Sequence, residues 1–412
     1  MNKRGVLAIA HLLTYRDVKN AKNAAFIFKK FHFGDRCPMK LVPGTRFCIV
    51  NGTALLRNKV VRGSSVAVDG VKIARCGYGG AAGKGSVIDA KGCYVAPGFI
   101  DCHIHGDPKA IFAREARYGT TSIALAVSCC SAHELHKICA HVKRFMREDP
   151  LGMQLLGLHL EGPFISKEKA GAQDKRYIRA PDKKELQALI DSCGGLLKIM
   201  TIAPEERGAL GLIRLLREKG IVASIGHTNA MFEEAKKAFR AGISHATHTY
   251  NAMRGLKENE PGAIGAVLAD NDISAEIILD LLHVKALQAK AFFRSKPADK
   301  ALLITDSVHA EYSEYSTVAH PRGVQRFVYR LKDGTIAGSA LTMIEAVKNA
   351  VTKCGVPLVH AVRMATLNPA KLLGVDDKKG SLVPGKDADI VVFDDEFRVQ
   401  MTFIGGKIAY QR

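Results

Sequence analysis

Residues 221–250 have the sequence IVASIGHTNAMFEEAKKAFRAGISHATHTY and contain one complete strand–helix–strand unit. The first run is mostly apolar, residues 231–241 place small and apolar side chains at helical spacing, and a second strand-like run begins at 244. Both strand-like runs end beside polar side chains, which include His227 and His248. This order predicts two parallel strands joined by a crossover helix.

The same alternation continues in both directions from this unit. An apolar run ending in APGFIDCHIHG (96–106) comes first, and the remaining strand-like runs occupy 120–128, 155–162, 197–205, 274–284 and 301–308. Seven or eight such units predict an α/β fold whose main part is a (β/α)8 barrel of the TIM type. The active sites of such barrels lie at the carboxyl ends of the strands.

Two β-rich segments flank the barrel region. Residues 46–97 contain short strand-like runs with reversals predicted at Asn-Gly, Asp-Gly and Lys-Gly, and the apolar strand ADIVVFD (388–394) lies near the other end. Each segment is too small to be stable alone, so we expect both to form one small β-sandwich. The predicted domains are 39–97 with 376–412 for the sandwich and 98–375 for the barrel.

The chain has 412 residues and a formal net charge of +20. Residues 1–38 contain eight basic and two acidic residues, and we interpret them as a basic leader that folding does not need, with Met39 as the candidate native start. Elsewhere the positive charge is dispersed over helix faces without a nucleic-acid-binding motif. No apolar run reaches the roughly 18 residues of a membrane-spanning helix. We therefore expect neither nucleic acid nor membrane as a partner.

Ten cysteines are scattered along the chain without a CxxC pair. In a chain of this length, that pattern favours reduced thiols over a disulfide framework. The sequence therefore predicts a cytoplasmic protein.

Ligand-type side chains occur where the predicted strands end. His103 and His105 are two residues apart and so project from one face of a strand. The other strand ends supply Glu161, His227, His248 and Asp306. Imidazoles and carboxylates are the ligands of Zn²⁺, Fe²⁺, Co²⁺ and Mn²⁺, so the pattern predicts a site for one or two divalent ions. The remaining strand histidines, among them His159 and His245, are interpreted as hydrogen-bonded structural residues.

From about Arg46 onward, the order of motifs is HxH, LHLEGPF, GHTNA, HATHTYNAM, DLLH, LLITDSV and DGTIAGSALTM. This order resembles the N-acetylglucosamine-6-phosphate deacetylases, a family of the amidohydrolase superfamily. Many amidohydrolases share HxH, whereas LHLEGPF, GHTNA and HATHTYNAM are far more specific. The resemblance implies a homodimeric enzyme that hydrolyses the acetamide of an amino sugar phosphate.

The resemblance also implies roles for individual residues. Glu161, His227 and His248 would hold the principal metal ion, His103 and His105 a second ion, and Asp306 would be the proton shuttle. The implied substrate contacts are Ala172, Gln173, Asn251, Ala252, Asn259, His283, Ile336, Ala337 and Gly338.

Three departures from the family pattern bear on the substrate. The segment between HxH and Thr120 is short, Gln173 stands where many members have His, and Asn259 stands where many members have a phosphate-binding Arg. Arg254 or Lys257 is expected to replace that Arg.

Three other functions remain open from the sequence. They are deacetylation of a different or non-phosphorylated N-acetyl amino sugar, hydrolysis of a cyclic amide, and sugar-phosphate binding without turnover. The usual cyclic-amide hydrolase has a metal-bridging Lys where this chain has Glu161, which argues against the second.

Overall fold

The computed structural model describes residues 46–78, 85–308, 315–319 and 325–412, so the predicted leader lies outside the described residues. The strands are β1 (Arg46–Leu55), β2 (Val60–Asp69), β3 (Lys72–Tyr78), β4 (Ser86–Asp89), β5 (Tyr94–Pro97), β6 (Phe99–His105), β7 (Thr120–Ser128), β8 (Leu155–Glu161), β9 (Leu197–Ile202), β10 (Val222–Ile225), β11 (Ile243–Ala246), β12 (Ser274–Ile278), β13 (Ala301–Ile304), β14 (Ser307–Val308), β15 (Tyr315–Ala319), β16 (Gln325–Arg330), β17 (Ile336–Ser339), β18 (Ile390–Phe393), β19 (Val399–Ile404) and β20 (Lys407–Gln411).

The α-helices of the described residues are α1 (Pro108–Glu115), α2 (Ala132–Glu148), α3 (Lys183–Cys193), α4 (Ala209–Glu218), α5 (Phe232–Ala241), α6 (Gly262–Ala269), α7 (Ala286–Ser295), α8 (Met343–Cys354), α9 (Leu358–Met364) and α10 (Leu367–Leu372). None of them is long and apolar enough to cross a bilayer.

The eight strands β6 to β13 are parallel and stand in chain order, each beside its predecessor. The ring closes at Asp306, whose backbone N–H donates to the carbonyl of His103 at 2.9 Å, and β14 then pairs in parallel with β6. The predicted (β/α)8 barrel is confirmed. Its closure point lies at the predicted proton shuttle.

Local sequence explains why the helices form where they do. In α2, Leu135, Cys139, Val142 and Phe145 are buried at helical spacing, and the side chain of Ser131 accepts from the backbone N–H of Glu134 to cap the first turn. The unit 221–250 likewise folds as β10, α5 and β11, as predicted.

Both β-rich segments meet in one small sheet, whose order is β20-β19-β18-β5-β1-β2-β3, with β4 beside β1. The antiparallel pair of β18 and β5 joins the two segments. The rings of Phe47 and Phe403 stack at 5.1 Å within its core. The small β domain built from both segments is therefore confirmed, while the domain limits 39–97, 98–375 and 376–412 stay predictions.

One predicted reversal is wrong. Asn51 and Gly52 lie inside β1, where the register shifts and the chain bulges instead of turning. Asn51 has a φ of 55°, and a Cβ on Gly52 would lie 2.6 Å from the Val95 side chain. Asn51 and Gly52 therefore allow β1 and β5 to approach each other closely, which no local sequence rule detects.

The segment after the HxH motif is short in the structure as well. Only Gly106 and Asp107 separate β6 from α1. The Asp107 carboxylate accepts from the backbone N–H of Ala110 at 3.1 Å and lies 2.9 Å from Nε2 of His141 on α2. The mouth of the barrel is therefore bordered here by a capped helix.

Glu115, in α1, gives a pH-dependent prediction of stability. Burial raises the pKa of this carboxyl to about 8, and Arg114 opposes the rise. An unfolded Glu has a pKa of about 4.3. The protonated Glu115 side chain therefore makes its full contribution to the free energy of unfolding below about pH 4.3, and this contribution is lost as the pH rises through about 8. Glu115→Gln is expected to raise the melting temperature at pH 9 much more than at pH 5. Thermal unfolding at both pH values tests this, with exposed Glu148→Gln as control; an equal shift at both would contradict it.

Candidate active site

The predicted ligands converge at the carboxyl ends of the barrel strands. His103 and His105 lie in β6, and Glu161 is the last residue of β8. His227, His248 and Asp306 each lie two residues beyond a strand, and their φ angles of 46°, 29° and 47° are all in the left-handed region. Backbone strain of this kind collects at functional sites because the surrounding structure must impose it.

Three of these side chains place their donor atoms around one point. Oε1 of Glu161 lies 2.8 Å from Nε2 of His227 and 2.7 Å from Nε2 of His248, and the two nitrogens are 3.2 Å apart. Nδ1 of His227 donates to the carbonyl of Lys169, so its Nε2 carries the lone pair. Donors around a tetrahedral Zn²⁺ stand about 3.3 Å apart, so this trio fits a divalent ion.

The HxH pair extends the cluster on the other side of Glu161. Nε2 of His103 lies 3.7 Å from Oε1 of Glu161 and 3.6 Å from Oδ1 of Asp306. Nε2 of His105 lies 3.7 Å from Oε2 of Glu161 and 3.2 Å from Oδ1 of Asp306. The Glu161 carboxylate therefore lies between His227 and His248 on one side and His103 and His105 on the other.

An unpartnered buried atom supports a second ligand position. Nε2 of His103 is buried and has no hydrogen-bond partner among the described residues. A buried nitrogen of this kind carries an energetic penalty unless something binds it. Because it points toward Glu161 and Asp306, the residues present fit a metal ion here as well.

The electrostatics of the cluster suit a cation. Burial alone would raise the pKa of Glu161, but His227 and His103 outweigh burial and hold it well below its usual value. Burial would likewise raise the pKa of Asp306, yet His103 and His105 lower it overall. Both carboxylates are therefore ionised at neutral pH, as metal ligands and general bases must be.

Gln173 lies against a predicted metal ligand. Its Nε2 donates to Oε2 of Glu161 at 2.6 Å, and its Oε1 accepts from the backbone N–H of Cys129 at 2.7 Å. Ala172 precedes it in the same loop, where a Cβ on Gly171 would lie 3.3 Å from His227. In this structure the amide of Gln173 thus orients Glu161.

The other implied substrate residues mostly border the cluster. The Nδ2 of Asn251 donates to the carbonyl of His248, and the carbonyl of Ala252 accepts from the backbone N–H of Thr228. His283 pairs through Nδ1 with Asp280 at 2.6 Å. Ile336, Ala337 and Gly338 belong to β17, which pairs with β14 directly after Asp306.

Gly338 and Asn259 differ in how the structure places them. A Cβ on Gly338 would lie 2.4 Å from the Val308 side chain and 3.0 Å from the carbonyl of Asp306, so only glycine fits beside Asp306. Asn259 is exposed in the loop before α6 and makes no hydrogen bond to the cluster within the described part of the chain.

Comparison with known proteins agrees with this geometry. The sequence model of the amidohydrolase family matches residues 94–409. The chain belongs to the amidohydrolase family.

The sequence was also compared with individual proteins of known activity. It is 37% identical to the N-acetylglucosamine-6-phosphate deacetylase of Bacillus subtilis, over 76% of this chain and 84% of that protein. It is 32% identical to an N-acetylgalactosamine-6-phosphate deacetylase of Escherichia coli O157:H7, over 79% of this chain and 90% of that protein. The resemblance drawn from the sequence motifs is confirmed, and so is the interpretation as a hydrolase.

A solved structure adds a ligand. It is an aspartate-to-alanine mutant of the N-acetyl-D-glucosamine-6-phosphate deacetylase from Mycobacterium smegmatis in complex with N-acetyl-D-glucosamine-6-phosphate. Its identity to this amidohydrolase is 28% with a TM-score of 0.80, and the match covers 90% of this chain and all of that one.

Sequence reasoning missed three supports of the amidohydrolase cluster. They are the carbonyl of Lys169, which fixes His227; Asp101, whose Oδ1 accepts from the backbone N–H groups of His103 and Thr305; and Glu276, which lies under His103. A lone carboxylate inside the apolar run SAEII was the available signal for Glu276. No local pattern singles out a backbone carbonyl. The interpretation of His159 and His245 as hydrogen-bonded residues holds, since they contact Thr201 and Glu276.

Proposed function

We propose that this protein hydrolyses the acetamide of N-acetylglucosamine 6-phosphate to glucosamine 6-phosphate and acetate. The observation that carries the proposal is the convergence of Glu161, His227 and His248 on one point, with the Asp306 carboxylate 3.2 Å from Nε2 of His105 beside it. The named activities of the relatives support the same reaction.

The metal centre would be held by Glu161, His227 and His248, with His103 and His105 as ligands of a second ion. A divalent ion such as Zn²⁺, Fe²⁺, Co²⁺ or Mn²⁺ would supply Lewis acidity toward water and the acetamide carbonyl.

Asp306 moves the proton. As an ionised carboxylate, it accepts a proton from the attacking water and returns it to the nitrogen of the departing amino sugar, which must leave protonated. Two backbone hydrogen bonds fix the position of Asp306. Its N–H donates to the carbonyl of His103, and its carbonyl accepts from the N–H of Ser339.

The sugar would lie against the residues that border the cluster. Asn251, Ala252 and His283 supply polar contacts, and β17 with Gly338 forms the wall beside Asp306. Gln173 holds Glu161 in place through the hydrogen bond from its amide.

The phosphate would be bound without an Arg at position 259. Arg254 follows the turn at Asn251 and Ala252, and its Nε donates to the carbonyl of Asn229 at 2.7 Å. This bond fixes the guanidinium near the turn, and Lys257 adds an exposed cation in the same loop. Both are available to an anionic substrate.

A second candidate substrate is N-acetylgalactosamine 6-phosphate, because one relative is named for it. The two sugars differ only in the configuration of the C4 hydroxyl.

Acetate release from both phosphorylated sugars and from free N-acetylglucosamine tests the proposal. Turnover of none of them by metal-loaded protein would overturn it, and the faster phosphorylated sugar identifies the hexosamine.

We predict that the phosphorylated substrate is preferred, by a margin that shrinks as ionic strength rises. Asn259→Arg is expected to increase the preference, since each hydrogen bond to a charged group contributes about 1.5–3 kcal/mol. The measurement is kcat/KM for the phosphorylated and the free sugar at low and high salt. Exposed Asn58→Arg is the control for added charge alone. A free sugar that is better throughout, with no change in Asn259→Arg, would refute the phosphate assignment.

We also propose that the protein works as a homodimer in the cytoplasm. The family resemblance supports the dimer, and the nine cysteines of the described residues, all of them free, support a reducing compartment.

A further inference from the structure

Glu276 lies in β12, beneath the cluster, and its side chain is fully buried. Both carboxylate oxygens have partners. Oε2 lies 3.1 Å from Nδ1 of His103 and accepts from the backbone N–H of His248 at 3.1 Å, while Oε1 lies 3.0 Å from Nε2 of His245. A carboxylate this deep in a barrel is retained only where its hydrogen bonds are satisfied.

The contact with His103 decides which ring nitrogen is free. A carboxylate oxygen accepts, so Nδ1 of His103 carries the hydrogen and Nε2 carries the lone pair. That Nε2 is buried, has no hydrogen-bond partner among the described residues and lies 3.6 Å from Oδ1 of Asp306. Glu276 thus fixes both the tautomer of His103 and the direction of its free lone pair.

We propose that Glu276 is a positioning residue that holds His103 as a ligand of the second metal ion, so that two-ion occupancy of this centre depends on the Glu276 carboxylate. The inference rests on the proposed metal centre and goes beyond it, because it names the residue on which the number of ions depends.

The first ion position has its own supports. His227 is fixed by the carbonyl of Lys169, and Glu161 is fixed by the amide of Gln173. Within the described part of the chain, Glu276 contacts Glu161, His227 and His248 only by accepting from the backbone N–H of His248. Loss of the carboxylate should therefore weaken the second ion selectively.

Glutamine does not remove the acceptor from His103 in every orientation, because His103 and His245 lie against opposite oxygens of Glu276 and an amide has one oxygen and one NH₂ group. If the NH₂ faces His245, the oxygen still accepts from Nδ1 of His103. The proton of His245 then fits on its Nδ1, since the Ser274 hydroxyl donates to the carbonyl of Ser244 and can accept from that nitrogen. Leucine has a similar volume and no acceptor, so Glu276→Leu is the variant that removes the contact.

The test is titration of metal-free full-length protein with Zn²⁺, followed by calorimetry and by metal analysis after gel filtration. The native chain is expected to bind two ions. Glu276→Leu should bind the first with native affinity and the second about 10–100-fold more weakly. The matched control is Ser274→Ala, which removes a hydroxyl 2.8 Å from Nδ1 of His245 and leaves His103 untouched; both ions should bind as in the native chain.

A double variant separates positioning from a general loss of packing. With His103→Asn already present, adding Glu276→Leu should change the second affinity no further. If Glu276→Leu does not fold, Glu276→Asp is used, and a selectively weakened second ion is expected there.

Equal weakening of both ions, native affinity for both in the variants, or a single ion in the native chain would overturn the inference. None of these readouts uses substrate. A native protein that binds two ions but releases no acetate would overturn the proposed function and leave the role of Glu276 standing.

Discussion

Asp306→Asn is expected to lower kcat by roughly 10²–10⁴-fold or more, because a general acid–base group alone contributes that factor. Asparagine has the same shape but neither accepts the proton from water nor returns it to the leaving nitrogen. The backbone contacts that close the barrel at this residue do not involve the side chain, so the fold is expected to be retained.

Steady-state kinetics with metal analysis on the same samples measure this effect. Asp270→Asn is the matched control, since Asp270 pairs with Lys236 at 2.6 Å on another part of the surface. Metal content should be native in both variants. Near-native turnover by metal-loaded Asp306→Asn would remove Asp306 from the proton-transfer step.

Glu161→Gln is expected to have an effect of similar size through the metal. Oε1 of Glu161 lies within 2.8 Å of Nε2 of both His227 and His248, and Oε2 lies 3.7 Å from Nε2 of His105. This carboxylate therefore borders both proposed ion positions. A neutral amide keeps the volume but loses the charge that two ions would share. Metal content after purification without chelator should fall well below one ion per chain, and turnover should fall with it.

The control for this experiment is Glu396→Gln, which changes an exposed carboxylate paired with Arg398. Excess Zn²⁺ should restore part of the turnover in Glu161→Gln if the remaining histidines still bind weakly. Full metal content in Glu161→Gln without added metal would show that Glu161 is not a ligand.

The barrel and the convergence of the ligand-type side chains were predictable because both follow from local pattern. In residues 221–250, strand, helix and strand are each encoded by the spacing of apolar side chains, and parallel strands in a closed barrel bring their carboxyl ends together. Polar side chains at those ends, such as His227 and His248, therefore had to meet once the barrel was assumed.

Features that depend on contacts between distant segments were not predictable. Asn51 and Gly52 have the sequence of a tight turn, but the neighbouring Val95 makes them a bulge. The family resemblance assigns Gln173 to the substrate, whereas its hydrogen bond to Glu161, twelve residues earlier in the chain, is visible only in the fold.

The strand–helix alternation and the histidines and carboxylates of metal-binding type can be recognised without a structure, because each is encoded by residues close together along the chain. The closure of the barrel at Asp306, the free lone pair on His103 and the burial of Glu276 beneath it are visible only in the folded molecule. A histidine tautomer is fixed by the partner of the other ring nitrogen, and for His103 that partner is Glu276, 173 residues away along the chain.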